Sequence, residues 1–203
     1  SSSEIYGDPK IVPTPETYWG NVSCNGPRAC YDESKRLAET VCIAYHQQYK
    51  IPIKIARPFN VYGPYLNLDD GRVIPDFFKN AIEKSKIIIH SDGTPTRSFC
   101  YVSDSIRGFL KILFEGESGS IYNVGNDKEI SMKELAIEIK NLVGNVEIIY
   151  EKNQDKHYTT DNPQKRVPDL TKINFNHKLV LVKKEFNLNA FMKEVIEMME
   201  FRA

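Results

Sequence analysis

The chain has no run of about 18 apolar residues, the length a membrane-spanning helix needs, so neither a transmembrane helix nor a membrane partner is expected. It has no glycine-rich phosphate loop, neither G-x-G-x-x-G nor G-x-x-x-x-G-K-[ST], and so carries no phosphate cradle evident in its own sequence. It has no excess charge of either sign. Its 27 Lys and Arg balance 27 Asp and Glu, and without a basic block a nucleic-acid partner is not expected. Cysteine is scarce: Cys24, Cys30, Cys42 and Cys100 are too few in 203 residues for a disulfide scaffold, and they contain no C-x-x-C pair. His46, His90, His157 and His177 show no metal-ligand spacing, so no metal is expected. Ser1, Ser2 and Ser3 form neither the basic nor the apolar part of a secretion signal, and the expected compartment is a reducing cytoplasm. An initiating Met is also missing, and Glu4-Ile5-Tyr6 reads as the end of a buried strand. The expectation is a piece of a longer protein.

What is present is enough for a core. Hydrophobic residues make up 41% and charged residues 27% of 203 positions, a globular composition with room for one or two domains. Residues 9–30, with Pro9, Pro13, Pro15, Gly20, Gly26 and Pro27, read as a long ordered loop, a length that usually carries function. From Tyr31 to about Tyr49 the pattern turns helical, with Leu37, Val41, Ala44 and Tyr45 at three- and four-residue steps. Strands are expected at 51–57, 86–90, 121–124 and 146–150, with 98–102 extended. Helices are expected at 72–84, at 103–114 with Ser103 or Asp104 as cap, from the Ser131–Glu134 capping box to about Val143, and at 189–201. Residues 151–168 read as irregular. The alternation of strands and helices makes the class α/β.

Five short constellations carry chemistry. Tyr31-Asp-Glu-Ser-Lys35 places a phenol and an ammonium on one helix face. A cation there favours phenolate, which suits a general base. The hydroxyls of Ser1-Ser2-Ser3, followed by Glu4, could hold a substrate hydroxyl near that tyrosine. Arg57-Pro58-Phe59-Asn60, Gly93 to Asp104 around Arg97, and Asp161 to Asp169 around Arg166 each set an arginine beside turn residues, a match for a diphosphate. Taken singly, each arginine reads as a surface ion pair.

In this order, the five resemble the extended short-chain dehydrogenase/reductases that act on nucleotide sugars. Tyr18-Trp-Gly-Asn-Val22, Pro27-Arg-Ala-Cys-Tyr31-Asp-Glu-x-Lys35-Arg36 and Asp70-Gly-Arg-Val73 resemble one subgroup, the UDP-glucuronate decarboxylases (UDP-xylose synthases) and their epimerase/dehydratase relatives. The resemblance implies the C-terminal part of a Rossmann-type doubly wound sheet plus a small α/β substrate-binding domain. Residues 1–60 would be the remnant of the dinucleotide-binding domain. Residues 61–203 would be mainly the nucleotide-sugar domain, with segments returning to the Rossmann sheet.

The resemblance also implies roles. Tyr31 and Lys35 match the catalytic pair that also meets the NAD ribose; Ser2 matches the group bonded to the sugar 4-hydroxyl, and Ser3-Glu4 the decarboxylase pair. Arg57 and Pro58 fall on the cofactor side. Asn60, Arg72, Val73, His90, Arg97 and Arg166 fall on the substrate side, with His90 where an aromatic ring packs on uracil. The implied chemistry is removal of the 4-hydroxyl proton by tyrosinate as hydride leaves C4 for NAD, loss of carbon dioxide from the resulting β-keto acid, and return of the hydride.

Ser3 replaces the Asp of the 4,6-dehydratases, which favours decarboxylase or epimerase. Pro64-Tyr65 replaces the decarboxylases' Pro-Arg and is dehydratase-like, and Pro58 replaces an isoleucine. A nucleotide-sugar 4-epimerase, a 4,6-dehydratase and a non-catalytic nucleotide-sugar-binding module therefore stand as alternatives. The cofactor's glycine-rich loop belongs upstream of Ser1, so weak NAD binding by this chain is expected. A UDP-sugar is the expected ligand, and a homodimer the expected state of the full-length protein.

Overall fold

A computed structural model of the chain describes residues 1–151, 163–174 and 193. Helix α1 spans Ala29–Tyr49, with Asp32 in its first turn where the dipole favours an anion. Strand β1 (Ile55–Pro58) pairs in parallel with β6 (Ile121–Val124), Arg57 standing opposite Asn123. Helix α3 (Val102–Glu115) packs on this pair, as does the short helix α5 (Thr171–Asn174) on β6. Ile112, Tyr122, Val124, Leu170 and Ile173 are buried together there.

The larger core lies between α2 (Val73–Lys84), α4 (Met132–Val143) and the parallel pair β3 (Lys86–Ile89) and β8 (Glu147–Tyr150). Helix α2 puts Ile74, Phe77, Phe78 and Ala81 at the spacing of one helix face, and all four are buried. Pro75 lies in the first turn, where no helical N–H is lost. Helix α4 starts at the expected capping box. Ser131 Oγ accepts the Glu134 N–H at 3.1 Å, and the Glu134 carboxylate accepts the Ser131 N–H at 2.9 Å. Leu135, Ala136 and Ile139 then face Ile87 and Ile89 in one cluster.

Several local expectations change. The opening residues form a 3-10 turn, Ser3–Tyr6, rather than a strand end. The Ser2 hydroxyl accepts the Glu4 N–H at 3.2 Å and diverts the chain from extended pairing. Strand β1 begins at Ile55, not at residue 51. Pro52 offers no N–H, and the Ile53 N–H closes on the Ile51 carbonyl at 2.9 Å. The 98–102 stretch divides into β4 (Thr96–Ser98) and β5 (Cys100–Tyr101), and helix α3 starts at Val102 with Tyr101 as its cap residue. Ser103 and Asp104 thus sit inside the first turn and do not cap it.

Three strands were not expected. β2 (Val61–Tyr62) pairs with β5, while β7 (Glu129–Ser131) and β9 (Lys165–Arg166) flank β4, antiparallel and parallel respectively. The loop at 9–30 is ordered as expected. Thr14 bridges Pro168, Asn21 bridges Gly7, and the Thr14 N–H donates to the Val167 carbonyl at 2.8 Å. The helix expected at 189–201 lies outside the described residues except for position 193.

Candidate active site

The site begins with the 3-10 turn and the start of α1. Ser2 and Ser3, both buried, Glu4, Arg28 and Tyr31 form one wall of a cavity of about 650 Å³. Lys35 stands one helical turn beyond Tyr31, with its ammonium 5.3 Å from the centre of the Tyr31 ring. The two side chains thus share one face of α1, as their spacing implies, and the Tyr31 ring is partly open to the cavity and to solvent.

The opposite wall comes from the strand ends. Pro58 ends β1, and Asn60 follows it with φ 34°. The Asn60 side chain donates to the Ser98 carbonyl at 2.9 Å and ties this turn to β4. Arg72 and Val73 enter at the start of α2, and His90 at the end of β3. Arg72 is ion-paired to Asp70 in its own loop. Arg97 and Arg166 come from adjacent strands, in register across the parallel β4–β9 pair, and both are buried and line the cavity. The first two residues of the Asp161–Asp169 motif lie outside the described residues.

Two neighbouring arginines packed out of water demand acceptors or an anion. Glu4 meets part of that demand. Its carboxylate takes one hydrogen bond from Arg166 and another from Arg28 at 2.7 Å. Arg166 Nε is buried without a hydrogen-bond partner among the described residues. Burial pulls the Arg166 guanidinium below its ordinary pKa against the opposing Glu4 charge. Among the described residues no group of three or more His, Cys, Asp and Glu side chains could hold a metal ion.

Of the expected site residues, Ser2, Ser3, Glu4, Tyr31, Pro58, Asn60, Arg72, Val73, His90, Arg97 and Arg166 line one cavity. Lys35 and Arg57 do not: Lys35 lies against the Tyr31 ring, and Arg57, expected on the cofactor side, is 5% exposed and bonded within the protein. Its Nε and Nη2 donate to the two Glu39 oxygens at 2.8 and 2.6 Å. Its Nη1 donates to the Tyr6 hydroxyl at 2.7 Å and the Glu16 carbonyl at 3.0 Å. The Tyr6 hydroxyl donates onward to Asn123 at 2.8 Å, and burial pushes this phenol up to about 12, which leaves it neutral. Arg28 was missed as a site residue, although it stands three positions before Tyr31 in the quoted motif.

With the geometry in place, the relatives can be compared. The model of the NAD dependent epimerase/dehydratase family matches residues 1–125. UDP-glucuronic acid decarboxylase 5 of Arabidopsis thaliana is 48% identical over 173 residues, which cover 85% of this chain and 49% of that protein. UDP-glucuronic acid decarboxylase 1 of Xenopus tropicalis is 41% identical over 172 residues, 85% of this chain and 40% of that protein. The chain thus spans about half, or less, of the length of these relatives. Among solved structures, the UDP-N-acetylglucosamine 4-epimerase of Methanobrevibacter ruminantium superposes with a TM-score of 0.83 at 22% identity, over 98% of this chain and 62% of that one. The dTDP-glucose 4,6-dehydratase of Streptomyces venezuelae with NAD and TYD bound gives 0.80 at 22% identity, over 98% and 59%. These likenesses show the α/β Rossmann-type fold.

Proposed function

The chain belongs to the NAD dependent epimerase/dehydratase family, and from that premise we propose that it is the substrate-side half of a UDP-glucuronate decarboxylase. The observation that carries this reading is the cavity in which Arg97 and Arg166, neighbours across β4–β9, face the Tyr31 and Ser2 wall. A nucleotide diphosphate satisfies the arginines, and a sugar extending from it reaches Tyr31. Residues 1–60 are the cofactor side and 61–203 the substrate side in this proposal, with β6 returning to pair with β1.

The chain's own residues divide the work. Ser2 holds the sugar 4-hydroxyl, and Tyr31 takes its proton, with Lys35 stabilising the phenolate. Oxidation at C4 makes a hexuronate a β-keto acid, whose carboxylate leaves as carbon dioxide. Ser3 and Glu4 border the reacting end, where Ser3 offers no second carboxyl for expelling water. Asn60, Arg72, Val73 and His90 line the nucleotide end.

NAD, when bound, supplies the acceptor that removes hydride from C4 and later returns it. The residues present suit its nicotinamide-ribose end, since Tyr31 and Pro58 share the cavity wall and Lys35 lies against Tyr31. No glycine-rich loop within the 203 residues serves its diphosphate. Tyr65, the dehydratase-like feature of the sequence, is exposed and outside the cavity lining, so it lends no weight to the 4,6-dehydratase alternative, and the 48% identity to a UDP-glucuronic acid decarboxylase favours that reading over 4-epimerase. A cytoplasmic location and, for the full-length protein, a homodimer complete the proposal, in keeping with four free cysteines.

The test is conversion of UDP-glucuronate to UDP-xylose in the presence of NAD. It uses this chain alone and the chain preceded by the remaining half of the Arabidopsis relative. Turnover by the extended protein is expected. Tyr31→Phe in it lowers turnover by about 10²–10⁴-fold and leaves UDP affinity within about twofold. Equal loss of both refutes the role of Tyr31, and absence of turnover in a folded extended protein refutes the enzyme.

A further inference from the structure

Helix α1 carries Tyr31 and Lys35, yet among the described residues no apolar face holds it. Of its 21 residues only Asp32 is buried, while Leu37, Val41, Tyr45 and Tyr49 are exposed. Its main packing partner is the Ser3–Tyr6 turn. Guanidinium groups make the attachment. Arg36 Nη1 reaches from the helix to the carbonyls of Ile5 at 3.0 Å and Trp19 at 2.8 Å. Gly20 leaves the space for it: with φ 99°, a Cβ there would lie 2.8 Å from Arg36 Nη1 and 2.6 Å from the Ile5 carbonyl oxygen. Further along the helix, Glu39 is gripped through both oxygens by Arg57 from β1. The same guanidinium bonds the Tyr6 hydroxyl and lies 4.9 Å from the centre of the Tyr6 ring.

Each tie ends on the turn that begins at Ser3, or on the loop beside it. An apolar contact tolerates sliding, whereas a two-point guanidinium–carboxylate bond fixes both distance and direction. Displacement of a reacting group by about 1 Å can cost about 10²-fold in rate.

We propose that Arg36 and the Arg57–Glu39 pair are positioning residues, which hold α1 in one register against the Ser3–Tyr6 turn and so set the separation of Tyr31 from the Ser2 hydroxyl. The catalytic meaning of that separation rests on the function proposed above, but the docking itself does not. The test therefore uses the 203-residue chain without turnover. Tyrosines are replaced by 3-fluorotyrosine, and the Tyr31 ¹⁹F resonance is assigned by its loss in Tyr31→Phe.

Arg36→Met and Glu39→Gln are each expected to shift the Tyr31 resonance and to speed α1 amide exchange by at least about tenfold. Arg36→Lys is expected to return the Tyr31 resonance part of the way. The Tyr122 resonance, in the β6 core, stays in place, and UDP affinity changes by less than about threefold. An unmoved Tyr31 resonance in both variants overturns the proposal. So does movement of every tyrosine together with loss of UDP binding, because that is general loosening. Failure of UDP-glucuronate turnover leaves these resonances unaffected and counts against the function alone.

Discussion

Helix α4 lays Leu135, Ala136 and Ile139 against α2 and β3, whereas helix α1 buries Asp32 and is tied by arginines. The first arrangement is a closed apolar core of the ordinary kind, stabilised in proportion to the area taken from water. The second is a polar attachment whose strength depends on geometry and charge. The two meet at the cavity: α2 and β3 supply Val73 and His90, and α1 supplies Tyr31. The side proposed to grip the nucleotide is thus built on packing. The side proposed to do the proton chemistry is built on directional bonds, which fix angles that packing leaves loose.

The largest effect expected from breaking this contrast falls in the apolar lobe. Leu135 is completely buried among Phe78, Ile87 and Ile139. Leu135→Ala removes three carbons and leaves a void that rigid neighbours cannot fill, and should cost about 2–5 kcal/mol in urea unfolding. A loss below about 1 kcal/mol would mean that the lobe collapses around the gap and is not the close-packed half described.

Acid should loosen the other half. Burial alone would push the Glu39 carboxyl up, but the hydrogen bonds from Arg57 and Ser1 and the Arg57 charge outweigh it and hold the carboxyl below its usual 4.5. The side chains that act on it are Arg57 from β1 and Ser1. A folded-state value below the unfolded one means that this stability is complete above about 4.5 and is lost as pH falls through the lowered value. Amide exchange in α1 should therefore accelerate as pH falls below 4.5, and Glu39→Gln, which loosens α1 at every pH, should remove that pH dependence. A pH dependence that survives Glu39→Gln would place the acid-labile group elsewhere.

What could be read in the sequence follows the same division. The Ser131–Glu134 capping box, the apolar face of α2 and the Tyr31–Lys35 spacing are local patterns, and each appears where expected. The strand pair that sets Arg97 beside Arg166 joins residues far apart in the chain through segments of three and two residues, too short to show any alternation. Arg57 shows the limit most clearly. Its neighbours Pro58 and Asn60 reach the cavity, but its own partners Glu39, Tyr6 and Glu16 lie 18, 51 and 41 residues away, and nothing local distinguishes a guanidinium turned inward from one turned toward a ligand.

The smallest expected effect sharpens the comparison most. Leu37 stands on α1 with 64% of its surface exposed, two residues before Glu39. If α1 is attached by its arginines, Leu37→Ala removes no packing, and Ala is at least as good a helix former. Stability in urea should then change by no more than about 0.5 kcal/mol, while Leu135→Ala, the same substitution in α4, costs several times more. A cost above about 1 kcal/mol at Leu37 would mean that this stripe is covered in solution. If that cost grew with protein concentration, the cover would be a second copy of the chain, because only an intermolecular contact makes stability depend on concentration. A cost independent of concentration would place the cover within the chain, and the apolar face of α1 would then join the arginines as part of what holds Tyr31 in place.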